Sequence, residues 1–586
     1  MREFLDDRTP YVILDDMGGC ERVYRNPVAA IRADSTAEVS SALAAVDETV
    51  ARGRHVAGYL SYELGYVLEP RLAALMPRKR LLPLLWFGVF DSCEFMNAEP
   101  GAKGPRTHAG PPAYEWGRDA HRAAFDRVRA LISAGDLYQA NVSFRGRFAF
   151  AGDPYAFYRE LKRQSGASNC AFVFDGERQI LSLSPELFFS IDAKGCAVVK
   201  PMKGTAPRGP TIQADLCAIA GLRASEKERA ENLMIVDLLR NDLAKISVPG
   251  SVRVDSLFDV ETYATLHQMV STVSARIAPP QSLSRIIRAL FPCGSITGAP
   301  KLRAMEVIRE IESSARGAYC GAIGHCAPDG SARFNVAIRT LTIADGRGEL
   351  GVGSAVVHDS RAAAEYDECR LKARFFECAR KPLQLIETLH FASGKGYVRK
   401  ELHLKRMEHS AVVLGLGFDH AAVQVVLDHA VRETEASARV RLLLDENGEF
   451  RAEATMFSDT PSLWRYAISP CRVDSRDPLI RHKTSRRRLY DRERDRMSAQ
   501  TGCDEILFLN EKDELSEGSR SNIFLARAGQ LFTPHIDSGL LDGRLRRELL
   551  DRGDCTEARL TCEDLKAADG VFLGNSLRGL VPAAPV

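Results

Sequence analysis

The chain has 586 residues, 45% of them hydrophobic and 27% charged, with a formal net charge of +2. A chain this long can bury several cores and predicts three or four domain-sized units. Lys+Arg 79 against Asp+Glu 77 is too even a balance for a nucleic-acid or membrane-surface footprint.

No apolar run approaches the roughly 18 residues that a spanning helix needs, so none is expected. The opening stretch, MREFLDDRTP, carries acidic residues and no apolar centre, and does not read as a signal peptide. The 14 cysteines are scattered without a CxxC pair. That pattern fits reduced thiols in a cytoplasmic protein better than a disulfide framework or a zinc site.

In chain order, MNAEPGAKGPRTHAGPPAYEW (96–116) is rich in Pro and Gly and reads as a loop inside the first half. Strands are predicted at 170–176, over the run QILSLSPELFFSID (179–192) and at 195–199. The next segment, KPMKGTAPRG (200–209), sets Lys203 in a Pro- and Gly-rich turn, either as a solvated charge or as an amine aimed at a substrate. A helix follows over 225–246, where Ser225 and Glu228 fit a capping box. Another starts near 297–312 with Pro300 in its first turn, and a third spans 362–381. The pattern restarts with a strand at 383–391, a helix at 403–416 and strands at 439–445, 505–510 and 521–526. The main boundary falls at 380–384, giving domains 1–381 and 382–586.

Glu306 and Glu310 are four apart on one predicted helix, and Glu365 and Glu368 three apart on another. Each pair shares a helix face. Both read as surface charge or as two carboxylate-bearing faces that grip one Mg²⁺, a cation that takes few protein carboxylates plus waters and an anionic substrate. Glu231 on the capped helix is by itself an ordinary solvated glutamate.

The segments SLSPELFF, PMKGTAPRG, AENLMIVDLLRNDL, LHQMVST, FPCGSITGAPKLRAMEVI, CGAIG, AIRTLTI and GVGSAVVHDSRAAAEYDE occur in that order. Together they closely resemble the chorismate-utilising enzymes: anthranilate, aminodeoxychorismate, isochorismate and salicylate synthases. The resemblance covers roughly residues 10–380 and implies an α+β domain of two packed antiparallel sheets surrounded by helices. It assigns Glu310 and Glu368 as magnesium ligands, with Glu306 and Glu365 beside them. Glu231 matches the acid that assists departure of the ring hydroxyl, and His267 the histidine near that hydroxyl. Arg339 and Tyr319 match carboxylate-binding positions. Gly353 and Ser354, in the glycine-rich GVGSAVV, offer backbone N–H groups to a carboxylate, with Ala355 where many relatives have a further glycine. Thr205 matches a substrate-binding position.

Lys203 stands where anthranilate synthases usually have alanine and aminodeoxychorismate synthases have lysine. In the latter the amine is thought to attack ring C2 as the C4 hydroxyl leaves, before ammonia attacks C4 and expels the lysine. Glu186 matches a glutamate associated with that lysine. The amine must be partly unprotonated, which requires burial or nearby positive charge.

In the second half, IRHKTSRRRLYDR (480–492), DEILFLNEKDELSEGSRSNIFLARAGQLFTP (504–534), SGLLDGRLRREL (538–549) and the upstream HLKRMEHSAVVLGL resemble the fold-type IV pyridoxal-phosphate enzymes over about 383–583. These include branched-chain and D-amino-acid aminotransferases and 4-amino-4-deoxychorismate lyase. Lys483 then matches the lysine that holds pyridoxal phosphate, and Glu517 the acid at its pyridinium nitrogen. Arg406 matches the phosphate arginine, and the turn of Gly543, Arg544 and Leu545 leads into a helix whose N–H groups hold phosphate. Asn575 and Ser576 match a further phosphate contact. Asp542 occupies a place where relatives commonly have proline, and an acid there is expected to weaken phosphate binding.

The pairing of the two halves implies an α+β bifunctional enzyme of the folate pathway. The first half would aminate chorismate with Mg²⁺, and the second would eliminate pyruvate with pyridoxal phosphate to give 4-aminobenzoate. No G-x-C-x-G glutaminase nucleophile is found, so ammonia is expected from solution or from a separate glutamine amidotransferase subunit. Pairing of two copies through the second domain is a further expectation. The alternatives are an anthranilate synthase fused to an amino-acid aminotransferase, or a second half that has lost its cofactor and only stabilises the first.

Overall fold

In a computed structural model, which describes residues 9–16, 19–97, 107–209, 211–262, 266–457 and 460–586, the apolar run 179–192 does not form one strand. It divides into β1 (Gln179–Ser184) and β2 (Leu187–Ile191). Pro185 has no amide hydrogen to give a ladder and ends the first strand. β1 pairs with Thr340–Ala344 in a sheet of eleven strands, whereas β2 pairs with Ala332–Val336 in a sheet of ten. The chain therefore changes sheets at Pro185-Glu186. Val12, Ala171, Val173 and Ile180 of the first sheet meet Ala57, Tyr59, Trp86 and Ile323 of the second in one buried cluster. Full burial of a side chain of this size contributes about 1.5–3 kcal/mol.

The described residues group into two units. One takes those within Met1–Ala102, Pro112–Arg147 and Phe157–Ala379; the other takes those within Lys103–Pro111, Phe148–Ala156 and Arg380–Val586. Of the stretch read as a loop over 96–116, residues 98–106 lie outside the described residues, and His108–Ala109 and Ala113–Tyr114 are short strands.

Four further elements of the first unit carry the site. β3 (Met202–Pro207) pairs with the longer β4 (Leu266–Arg276), which follows α1 (Glu226–Ala244). The register of β3 shifts between Met202, opposite Val270, and Thr205, opposite Gln268. Three residues of β3 thus span two of β4, and the extra residue makes a bulge at Lys203-Gly204. Gly204 takes φ 87°, a left-handed conformation that glycine adopts at little cost.

The Ser225 hydroxyl caps α1 by accepting the Glu228 N–H at 3.4 Å. The reciprocal half of the expected capping box is not made, because the Ser225 N–H goes to the Leu222 carbonyl. The Glu228 carboxylate lies instead over Gly204, where a Cβ would stand 2.9 Å from its Oε2. Ile235, Val236, Leu239 and Leu243 form the apolar stripe of α1 and pack on Val273 and Ala275 of β4.

α2 (Lys301–Ile311) begins one residue after Pro300, which is the N-cap and not part of the first turn. β5 (Arg347–Val356) leads to α3 (Ala362–Ala379). Thr340–Ala344 pairs with β5 only as far as Leu350, so one edge of Gly351–Val356 is left uncovered by that neighbour.

In the second unit, β6 (Leu385–Ala392) pairs with β7 (Ala438–Leu444), and β7 with β8 (Phe450–Met456). Between β6 and β7, α4 (Lys400–Leu414) lays Leu404, Met407, Ala411 and Leu414 on Leu385, Leu389, Val440 and Leu442. Those helix residues are three and four apart, the spacing of one face. A second sheet of eight strands contains β9 (Glu505–Asn510) and β10 (Leu515–Gly518). α5 (Arg544–Asp551) starts after the N-cap Gly543.

A Cβ at Gly351 would stand 2.2 Å from the Tyr319 ring. Gly351→Ala should therefore lower stability by about 1–3 kcal/mol, read as a lower urea midpoint with an unchanged slope. An unchanged midpoint would mean that the ring does not pack on this strand.

Candidate active sites

The bulge in β3 sets Lys203 among four charged groups from three other places in the chain. They are Glu231 on α1, Glu186 at the sheet crossing, and Glu368 and Lys372 on α3. Burial pushes the Lys203 amine below its ordinary value, Lys372 adds to this, and Glu231 opposes it. Glu186 is buried, and its Oε1 accepts the Ser295 hydroxyl at 2.7 Å. Burial raises its carboxyl to about 7. Burial also raises Glu231, and neighbouring Glu228 and Glu368 add to that. Burial at this centre therefore moves the amine down and the carboxyls up.

Lys372, absent from the sequence reading, bonds Glu368 at 2.7 Å and donates to the Gly353 carbonyl at 3.0 Å. The signal for it was its place four residues after Glu368 on the same helix. Glu365 accepts the Ser360 hydroxyl at 2.7 Å. Tyr319 is buried, with the Arg145 guanidinium 5.1 Å from its ring centre. Arg339 is half-buried with φ 49°; its carbonyl accepts the Leu183 N–H at 3.1 Å, and its side chain has no hydrogen bond or ion pair among the described residues. Burial lowers its guanidinium, the condition of a cation that lacks a counterion.

Several of the expected site residues have other partners in the structure. Glu306 bonds Arg303 at 2.9 Å and lies 3.5 Å from Arg71, and Glu310 pairs with Arg127 at 2.8 Å. α2 buries Ala304, Met305, Val307 and Ile308, which leaves 306 and 310 on its other side. Neither joins the charges around Lys203. The α1 carboxylate that bears on Glu368 is Glu231, with Glu228 beside it. Among the described residues no three His, Cys, Asp or Glu side chains close on one point as a metal cage. Two carboxylates plus an anionic substrate nonetheless fit the few-ligand habit of Mg²⁺. Buried His267 has both ring nitrogens engaged, Nδ1 with Thr262 at 2.9 Å and Nε2 with Asp215 at 3.0 Å, so neither is left for a substrate. The Thr205 hydroxyl donates to Gln268 Oε1 at 3.2 Å.

The second unit holds a cavity of about 1160 Å³. Lys483 enters it with Nζ 3.3 Å from the Thr388 hydroxyl. Burial lowers the amine to about 8, with Glu387 opposing and Arg406 assisting. Glu517, on β10, accepts the Tyr490 hydroxyl at 2.9 Å and the Leu541 N–H at 3.0 Å, and burial raises it to about 7. Arg406 lines the cavity as half of an ion pair, its Nε and second terminal nitrogen each 2.7 Å from Glu387. Glu387 also meets His403 at 2.6 Å, and His403 meets the Ser576 hydroxyl at 2.7 Å. No spacing rule pointed to Glu387; His403 stood three residues before Arg406 unread.

A Cβ at Gly543 would stand 1.9 Å from Asn522 Oδ1, so only glycine fits where α5 begins. Asp542, expected to repel phosphate, is neutralised by Arg544 at 2.8 Å and Arg546 at 3.0 Å. The Asn575 side-chain oxygen accepts the N–H groups of Leu577 and Arg578, so it builds the turn. An amine near neutrality, a buried acid opposite, and cationic groups around a helix start match the donor set that pyridoxal phosphate requires.

Comparison with known proteins matches residues 9–377 to the chorismate binding enzyme family and residues 384–586 to the amino-transferase class IV family. The chain is 43% identical over 285 residues to an aminodeoxychorismate synthase of Streptomyces griseus, covering 49% of this chain and 39% of that one. It is 43% identical over 251 residues to aminodeoxychorismate synthase component 1 of Klebsiella aerogenes, covering 43% of this chain and 55% of that one. Anthranilate synthase component I from Streptococcus pneumoniae TIGR4 superposes with a TM-score of 0.53 at 25% identity, covering 61% of this chain and 92% of that one. The chain thus spans about half or less of the length of these curated relatives.

Capture of pyridoxal phosphate needs the free Lys483 amine. With the amine at about 8, the capture rate of the apoprotein should rise about tenfold per pH unit below that value and level off above it. Stopped-flow absorbance would read this. A rise that continues toward the ordinary lysine value of 10.5 would contradict the buried amine.

Proposed function

Since the chain belongs to the chorismate binding enzyme family over residues 9–377, we propose that it is a bifunctional 4-aminobenzoate synthase. The observation that carries this reading is one chain with two lysines of lowered amine pKa, each facing buried acids in its own unit.

In the first centre, Arg339, free of any counterion among the described residues, takes a chorismate carboxylate. The unprotonated Lys203 amine forms a bond to ring C2, the double bond shifts, and the C4–O bond breaks as Glu231 protonates the departing hydroxyl. Glu186 takes the proton that the new C2–N bond releases. Ammonia then bonds to C4, the ring double bonds return to their first positions, and the C2–N bond breaks as Glu186 gives its proton back to the departing Lys203 nitrogen, while the ionised Glu231 takes the extra proton from the new C4 amine. Glu365 and Glu368 would hold Mg²⁺, which would supply positive charge against the substrate carboxylate. A separate glutamine amidotransferase subunit supplies the ammonia, and the reaction runs in the cytoplasm. No helix among the described residues is long and apolar enough to cross a membrane.

In the second centre, Lys483, Glu517, Arg544 and the start of α5 would hold pyridoxal phosphate, which supplies an electron sink when bound. The released Lys483 amine takes the C4 proton of the amino intermediate. The C3–O bond then breaks, the ring becomes aromatic, and Lys483 returns the proton to the departing enol, which leaves as pyruvate.

The test is a product assay with chorismate, Mg²⁺, ammonium and pyridoxal phosphate. Wild type should give 4-aminobenzoate and pyruvate; anthranilate would favour an anthranilate synthase fused to an aminotransferase. Lys203→Ala should stop formation of the amino intermediate, and Lys483→Ala should let it accumulate. Normal 4-aminobenzoate output from the latter would sink the lyase assignment.

The metal reading is tested separately. Glu365→Gln and Glu368→Gln should each raise the Mg²⁺ concentration for half-maximal activity by about tenfold or more, while Glu306→Gln and Glu310→Gln leave it unchanged. The reverse pattern would restore the α2 carboxylates as ligands.

A further inference from the structure

We infer that Arg439 and Arg441 form an anion-recognition pair for the substrate of the second centre, one that selects an amine carrying a carboxylate remote from the reacting nitrogen. This rests on the reading of that centre as a lyase and names what its substrate must present. Both residues lie on β7, two apart, and so on one face of the strand. Val440 between them is buried in the core, whereas both arginines line the cavity. Arg441 is directly opposite Thr388 on β6, and the Thr388 hydroxyl is the partner of the Lys483 amine. The Arg441 charge bears on that amine. A bound amine at Lys483 therefore has its far end within reach of this face.

The pair is set apart by what it lacks. Other cations of the cavity are engaged: Arg406 with Glu387, Arg472 with Asp513, Arg487 with Asp491 and Arg544 with Asp542. Neither Arg439 nor Arg441 has a side-chain hydrogen bond or ion pair among the described residues. Glu453 faces Arg441 across β8, yet the two form no ion pair. Both arginines are exposed, so water meets their donors, and two guanidinium groups on one strand face repel each other. A carboxylate placed between them would relieve that repulsion, in the two-pronged geometry that guanidinium favours. The amino intermediate of the proposed reaction has a ring carboxylate across the ring from its amine, and 4-aminobenzoate keeps it.

The test uses the pyridoxal-phosphate-loaded full chain and two probes of equal shape, 4-aminobenzoate and 4-aminobenzamide, titrated calorimetrically. Wild type should prefer the carboxylate by about 10–100-fold, as loss of a charge-assisted contact predicts. Arg439→Gln/Arg441→Gln should abolish the preference with cofactor content unchanged. In turnover, Arg441→Gln should raise KM for the amino intermediate by about tenfold or more with kcat within about threefold, and Arg441→Lys should recover part of it. An unaltered preference in the double variant, or no preference in wild type, overturns the pair. Failure of wild type to convert the amino intermediate would instead remove the lyase reading, while a lost preference in the double variant would still uphold the pair.

Discussion

An amine in water holds its proton until well above neutrality, and a protonated amine is no nucleophile. Both centres depend on the same remedy, partial removal of the ammonium from water with a second cation close by. Burial lowers Lys203 with help from Lys372, and lowers Lys483 with help from Arg406. The same desolvation acts with the opposite sign on the nearby acids, lifting Glu186 and Glu517 each to about 7. One physical term thus brings amine and acid toward a common range from opposite ends. The carboxylates cannot be too close or too exposed, since a fully ionised partner would restore the ammonium.

The backbone makes that environment. In the first unit the acid arrives where the chain leaves one sheet for the other, between two strands that are each interior to their sheets. The lysine arrives on an irregularity in a strand. In the second unit, a lysine loop, a strand acid and a glycine-started helix converge on one cavity. Glu186, Lys203, Lys483 and the phosphate-facing turn at Gly543 sit at breaks in regular structure, while Glu231, Glu368, Arg406 and Glu517 reach them from within helices and a strand.

Much of this was legible in residue order. The strands at 170–176, 195–199, 383–391 and 505–510 followed from their apolar, β-branched runs, and the two lysines stood out by their segments. Spacing failed where it had to choose a helix face. Glu306 and Glu310 satisfy the same i, i+4 rule as any gripping pair, but the apolar residues Met305, Val307 and Ile308 turn inward and carry the acids out to arginines. Glu228, read as half of a capping box, reaches over Gly204 because the Ser225 amide is already bonded backward to Leu222. Asp542 looked like a liability in isolation. Only the fold shows that Arg544 and Arg546 fall on either side of it. Faces, long-range ion pairs and the loss of a ladder at Pro185 are properties of packing, which sequence distance does not encode.

The extra residue in β3 has a bearing on how such a chain can change. Strand side chains alternate sides, so a bulge is a phase shift: everything on one flank is out of step with the other. Removal of Gly204 would let β3 pair regularly with β4 and would cost the sheet little, yet the lysine would swing to the opposite face, away from Glu231 and Glu186. A deletion of one codon would therefore leave a well-folded protein with Lys203, the proposed nucleophile, pointing the wrong way. The catalytic register of this strand is held by an insertion that the sheet itself does not require.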